Sequence, residues 1–153
     1  MRDAYYHGVM ATLSKCPFCD LKDKYIIAER SGMVLTVNLF PYVDYHLMIV
    51  SRRHIETLGE LKKNEWAAVY YLSKLGFDLI ARVWGEKKVN ILYREGKNSG
   101  KSLGHWHWHL FPFVQESFSF KKFSVKIAPL RSAQRLRRLL KTRGNSRHKK
   151  RAD

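Results

Sequence analysis

Negative charge is scarce in this chain of 153 residues: 13 Asp and Glu stand against 29 Lys and Arg, a formal net charge of +16. Such an imbalance attracts polyanions, so nucleotides, nucleic acid or an acidic partner are the expected company. Long apolar runs are missing too. No stretch of about 18 or more apolar residues occurs, which argues against a transmembrane span. The opening "MRDAYYHGVMATLSKCPFCD" lacks a continuous apolar core followed by a small-residue cleavage site. No secretory signal is read there, and a cytoplasmic protein with no membrane partner is the expectation. Cysteine is nearly absent, because Cys16 and Cys19 are the only two. In a cytosolic chain their C-x-x-C spacing points to a metal site or a redox pair rather than a structural disulfide. A redox pair belongs at a helix start after a strand, and nothing upstream of Cys16 reads as that strand.

What is present describes one ordinary domain. Hydrophobic residues make up 45% and aromatic residues 13%, enough for a single core at this length. The positive charge is concentrated at one end: residues 131–153 hold ten Lys or Arg against one acid. The last stretch, "KTRGNSRHKKRAD" (141–153), has no apolar periodicity and is expected to be a mobile basic tail after a domain spanning 1–140.

The segment "KYIIAERSGMVLTVNLFPYVDYHLMIVSRRH" reads as three strands. They cover Tyr25 to Ala28, Met33 to Leu39 after a Ser31-Gly32 turn, and His46 to Val50 after a loop. Asn64 is the expected cap of a helix running to Trp84, with Glu65 in its first turn and Gly85 ending it. Trp66, Val69, Tyr70, Leu75, Leu79, Ile80 and Val83 recur at the spacing of one buried helix face. Lys88 to Gly96 reads as a fourth strand and Gly104 to Phe111 as a fifth. "FSVKIAPL" is a candidate edge strand, and Leu130 to Leu140 a basic amphipathic helix. Strands in runs with one long helix indicate an antiparallel α+β domain of about five strands.

Two constellations carry chemistry. Cys16, Cys19, His54 and His105 make an acceptable tetrahedral zinc ligand set, although His54 is equally able to cap a strand or helix end. "GHWHWHLFPF" alternates His105, His107 and His109 with Trp106, Trp108 and Leu110, which on a strand puts imidazoles on one face and apolar bulk on the other. Such a row suits a three-histidine metal site, group transfer or pH sensing. Just before it, "REGKNSGKSLGH" supplies Gly96, Gly100 and Gly104 for close backbone approach, with a cation at Lys101 and a hydroxyl at Ser102. Loops of this kind form anion-binding concavities, and this one suggests a phosphate beside an imidazole nucleophile.

Taken together, "CPFC", "NLFPYVDYHLMIVSRRH", "GKNSGKSLGH" and "HWHWHLF" resemble the histidine triad (HIT) superfamily over roughly residues 14–113, in particular its zinc-containing branch of diadenosine polyphosphate hydrolases. The resemblance implies an HIT-like α+β fold, a homodimer, and His107 as a nucleophile that attacks the α-phosphorus of a nucleotide. It further implies that His109 bonds the phosphate or leaving group and that Ser102, Gly100 and the loop N–H groups stabilise the phosphoryl oxygens. By the same likeness His105 completes a structural zinc site and Asn38 contacts the ribose. Two departures add positive charge: Arg94 stands where relatives carry Asn or Gln, and Lys101 where they carry Gln. Both favour a longer or more anionic substrate.

The leading expectation is therefore a nucleotide hydrolase acting on a dinucleoside polyphosphate or adenylylated substrate and releasing a nucleoside monophosphate. The alternatives are repair of adenylylated nucleic-acid ends, a phosphorylase or nucleotidyltransferase, and a nucleotide- or nucleic-acid-binding protein without catalysis. Nucleic acid, if bound, is expected at the basic C-terminal tail.

Overall fold

The computed structural model describes residues 15–101, 103–113 and 125–149. Five strands form one antiparallel sheet: β1 (Ile26–Arg30), β2 (Met33–Val37), β3 (Leu47–Ser51), β4 (Val89–Tyr93) and β5 (His107–Pro112), in the order β1-β2-β3-β5-β4. Two helices accompany it, α1 (Lys63–Trp84) and α2 (Pro129–Lys149). This is the α+β, HIT-like architecture anticipated from the motifs. Ser31 and Gly32, both left-handed (φ 48° and 74°), turn β1 into β2.

Strand alternation then divides β5 between two environments. Trp106 and Leu110 join a core with Leu35, Leu47 and Ile49 of the sheet, Leu72, Leu79 and Ile80 of α1, and Ala133 and Leu136 of α2. The imidazoles of His107 and His109, buried on the other side of the strand, stay out of that cluster. Gly76 is what lets α1 approach so closely, since a Cβ there would lie 2.8 Å from Leu110 Cδ1. Gly85 ends the helix in the left-handed conformation (φ 76°) that favours glycine.

Several boundaries differ from the sequence expectation. Helix α1 starts at Lys63, one residue before the expected cap Asn64. Its free amide at Lys62 is taken by the Glu65 carboxylate (2.8 Å), so no Asn side chain is needed. Of the expected buried face, Val69, Leu79 and Ile80 are buried, but Trp66 (40% exposed) and Tyr70 (68%) face outward. Ala68, Leu72 and Gly76 occupy the inner face instead. The candidate edge strand lies partly outside the described residues, and Val125–Ala128 form no strand. The amides of Lys126 and Ile127 are spent on Asp44 Oδ1 (2.8 and 2.9 Å), which leaves them no sheet ladder to join. Helix α2 runs on to Lys149, well into the expected mobile tail, and residues 150–153 are outside the described residues.

One ion pair fixes the chain entering α1. Arg53 makes a two-pronged contact with the buried Glu65 carboxylate, Nε to Oε1 and Nη2 to Oε2, both 2.8 Å. Arg53 and the Lys62 amide hold the Glu65 carboxyl down at about 2. A carboxylate so depressed contributes stability that is full above its unfolded value of about 4.3 and is lost as pH falls through about 2. Glu65→Gln should therefore lower the urea midpoint of unfolding at pH 7 and leave a shrinking gap to the wild type below about pH 4. A gap that stays constant down to pH 2.5 would refute this assignment.

Candidate metal cluster and histidine row

The Cys16–Cys19 turn is closed by the Cys19 amide bonding the Cys16 carbonyl (3.1 Å). It lies against the end of β3 and the approach to β5. There the four expected ligands converge, with one donor atom from each of Cys16, Cys19, His54 and His105 within 4.8 Å of the others. Four of the six separations are 3.4 Å (Cys16 Sγ to His105 Nδ1), 3.2 Å (Cys19 Sγ to His54 Nδ1), 3.6 Å (Cys19 Sγ to His105 Nδ1) and 3.2 Å (His54 Nδ1 to His105 Nδ1), the other two being no longer than 4.8 Å. Metal–ligand bonds of about 2.0–2.3 Å place the edges of a tetrahedron at about 3.3–3.8 Å. The donor set fits such an ion. It also has the right tautomer, because His105 Nε2–H donates to the Ser51 carbonyl (2.7 Å) and leaves Nδ1 bare toward the thiols.

The other histidines are oriented by the backbone as well. His107 Nδ1–H donates to the carbonyl of His105 (2.8 Å), so its Nε2 carries the lone pair. The Tyr42 amide donates to His46 Nδ1 (3.1 Å), which places the His46 proton on Nε2. That Nε2–H donates to His109 Nδ1 (2.9 Å) and thereby places the His109 proton on its own Nε2. His107 thus offers a bare nitrogen and His109, its ring centroid 4.9 Å away, offers a proton.

Burial keeps the row uncharged. It pushes His107 down to about 4, helped by the cations Lys101 and Arg94, and it pushes His46 down to about 3. His109 is lowered in the same direction by burial and by its histidine neighbours. A neutral imidazole is the form able to attack phosphorus.

The loop ahead of β5 carries three left-handed residues, Gly96, Asn98 and Gly100 (φ 86°, 61° and 79°). Arg94 Nη1 donates to the Gly100 carbonyl (3.2 Å), Lys101 Nζ to the Glu56 carbonyl (2.7 Å), and the Lys101 amide to Ser99 Oγ (3.3 Å). The two cations thus brace the loop as well as charge it. Asn38, at the end of β2, turns its Oδ1 to the Phe40 amide (2.9 Å) and its Nδ2 to the His46 ring (3.4 Å). Ser102 lies outside the described residues.

Three participants escaped the sequence reading. His46 sits inside a motif that was noticed, but its link to His109 spans 63 positions. Phe18, between the two cysteines, packs its ring 5.1 Å from that of His107 and 5.7 Å from that of His105. Tyr42 packs against His46 (4.5 Å) and stacks on His109 (5.9 Å). The aromatic placed inside C-x-x-C was the one available hint.

The C-x-x-C hook thus lies beside a row of neutral histidines on an antiparallel sheet. The HIT domain pattern matches residues 21–116, and the chain belongs to that family. An uncharacterized HIT-like protein of Mycoplasma genitalium is 25% identical over 113 residues, covering 71% of this chain and 80% of its own. The asymmetrical bis(5'-nucleosyl)-tetraphosphatase of Schizosaccharomyces pombe is 25% identical over 83 residues, 54% of this chain and 46% of that protein. In fold, a Zn-bound histidine triad family protein from Mycobacterium smegmatis superposes with a TM-score of 0.67 at 19% identity, covering 86% of this chain and 97% of that one.

The backbone contacts make a spectroscopic prediction. At neutral pH, long-range proton–nitrogen correlation should show His107 protonated on Nδ1, and His46, His105 and His109 on Nε2. An Nε2-protonated His107 would contradict the arrangement.

Proposed function

We propose that the protein is a nucleotide hydrolase that cleaves dinucleoside polyphosphates at the α-phosphate through a nucleotidyl-His107 intermediate. The observation that carries this reading is the His107–His105 carbonyl bond, which points a fixed, neutral nucleophile into a cationic frame. His107 Nε2 attacks the α-phosphorus, the P–N bond forms, and the bond from phosphorus to the bridging oxygen breaks. The departing nucleoside polyphosphate keeps the electron pair as an oxyanion, which the Nε2–H of His109 stabilises by donating a hydrogen bond. Water then attacks the same phosphorus, and its proton is released to solvent. Breaking of the P–N bond releases a nucleoside monophosphate and restores His107.

Gly100, Lys101, Ser102 and Arg94 hold the phosphoryl oxygens, and loop N–H groups add to their charge stabilisation. Asn38 contacts the ribose through its amide. Cys16, Cys19, His54 and His105 would hold a structural zinc ion, a set of four protein donors that would tie the N-terminal hook to the sheet. The name of the S. pombe relative and the cations at Arg94 and Lys101 both favour a polyphosphate-bridged substrate. Exposed Trp66 and Tyr70 on α1, with Ile91 on the edge strand β4, form the face where a second copy would pack. The working compartment is the cytoplasm.

Two measurements test the reading. Purified protein never exposed to chelator should contain close to one zinc per chain, and Cys16→Ser together with Cys19→Ser should remove it. Metal content far below one would reject the ligand set. With diadenosine tetraphosphate, His107→Ala should lose turnover by at least about 10³-fold, together with the nucleotidyl adduct seen by mass spectrometry. Undiminished turnover in that variant defeats the mechanism. Release of a nucleoside diphosphate only when inorganic phosphate is added would instead favour a phosphorylase.

A further inference from the structure

Helix α2 carries eight Lys or Arg and no acid in its 21 residues. Its two faces are sharply different. Ser132, Ala133 and Leu136 are buried in the core, with Leu139 and Leu140 half-buried beside them. Arg131, Arg135, Arg138 and Lys141 are exposed and follow one another at intervals of four, three and three. That spacing stacks them along one side of the helix over about 15 Å, at 1.5 Å per residue.

Like charges at i+3 and i+4 repel, and no Asp or Glu on the helix relieves them. Other contacts hold the helix in place. Arg135 Nη1 donates to the Tyr45 hydroxyl (2.7 Å), Arg137 Nη1 to the Asp23 carbonyl (3.1 Å), and Arg82 of α1 to the Leu139 carbonyl (2.8 Å). A repulsive stripe is thus mounted rigidly on the domain and left open to solvent.

We propose that this face of α2 is a docking surface for the phosphate backbone of nucleic acid. The repeat of cations along one turn after another suits a ligand whose charge is itself periodic. Arginine predominates, and its planar fork binds phosphate oxygens in pairs. A membrane surface fits less well: the apolar side of α2 is already spent on the core, so no Leu or aromatic side chain of the stripe remains to enter lipid. The docking surface does not depend on the chemistry proposed for His107. It gives the net charge of +16 a location and a partner.

Binding of the full chain to a fluorescein-labelled, mixed-sequence single-stranded DNA, followed by anisotropy across a salt series, tests this. The variant Arg131→Gln, Arg138→Gln, Lys141→Gln should bind about tenfold or more weakly, and its log–log salt slope should fall by about 2, near 0.7 per lost cation. Its thermal midpoint should match or exceed that of the wild type, because a repulsion has been removed. A matched variant, Lys63→Gln, Lys74→Gln, Lys87→Gln, loses the same charge elsewhere and should bind nearly as the wild type does. Equal weakening in both triples would mean that net charge alone is at work and would overturn the proposal. So would an unchanged α2 variant, or wild-type protein that prefers phosphatidylserine-containing vesicles to the oligonucleotide at the same salt. Because the readout is binding, it stands or falls separately from hydrolysis.

Discussion

The rest of the site depends on the residue His105, and above all on its backbone carbonyl. That oxygen accepts the Nδ1 proton of His107 and so decides which nitrogen of that ring is free. The same residue turns its own ring so that Nε2–H meets the Ser51 carbonyl and Nδ1 meets the cysteines. Its peptide is pinned from the next residue, where the Trp106 amide reaches the Ile55 carbonyl (2.6 Å). Cysteine hook, sheet and His107 therefore share one joint. A buried donor left without its acceptor costs roughly 1–3 kcal/mol, so a small displacement of His105 would be felt directly at His107.

The core side of β5 supports that joint mechanically. Trp106 and Leu110 are fully buried against the helices, and Leu110 is approached by α1 at Gly76. The histidines borrow their rigidity from this packing, since their strand cannot rotate without opening the core. Charge is handled separately. Arg94 and Lys101 are committed to the loop before β5, whereas Arg131, Arg138 and Lys141 lie on another element altogether. The chain's large positive excess is thus not confined to the loop beside the histidines.

Features carried by short-range pattern could be read from the sequence. Alternation marked β5 and its two faces, C-x-x-C pointed to the Cys and His cluster, and 3.6-residue periodicity with Gly85 delimited α1 almost to the residue. What pairing across the sheet creates could not be read this way. His46 meets His109 only because β3 lies beside β5 with Met48 opposite His109. Trp66 and Tyr70 fit an apolar period yet face outward, because small residues such as Ala68 and Gly76 let the helix come closer on the adjacent side. Val125–Ala128 has the composition of a strand, but Asp44 removes its amides from any ladder. Local pattern names candidates, and the partner segment decides among them.

Three consecutive residues before β3 tie the C-terminal part of the chain to the histidine row. Asp44 accepts from the amides of Lys126 and Ile127, and Tyr45 holds an unusual left-handed backbone (φ 62°) while its hydroxyl accepts from Arg135. His46 follows, with its ring on His109. A left-handed tyrosine costs on the order of 1–3 kcal/mol and persists only where its surroundings insist on it. Part of those surroundings, Lys126, Ile127 and Arg135, follows the histidine row in the chain. A nascent chain that has emerged as far as Pro112 already holds every histidine of the row, but it lacks the groups that brace Asp44 and Tyr45. The geometry of His46 therefore waits on residues 126–135, which a ribosome adds only after the whole histidine row.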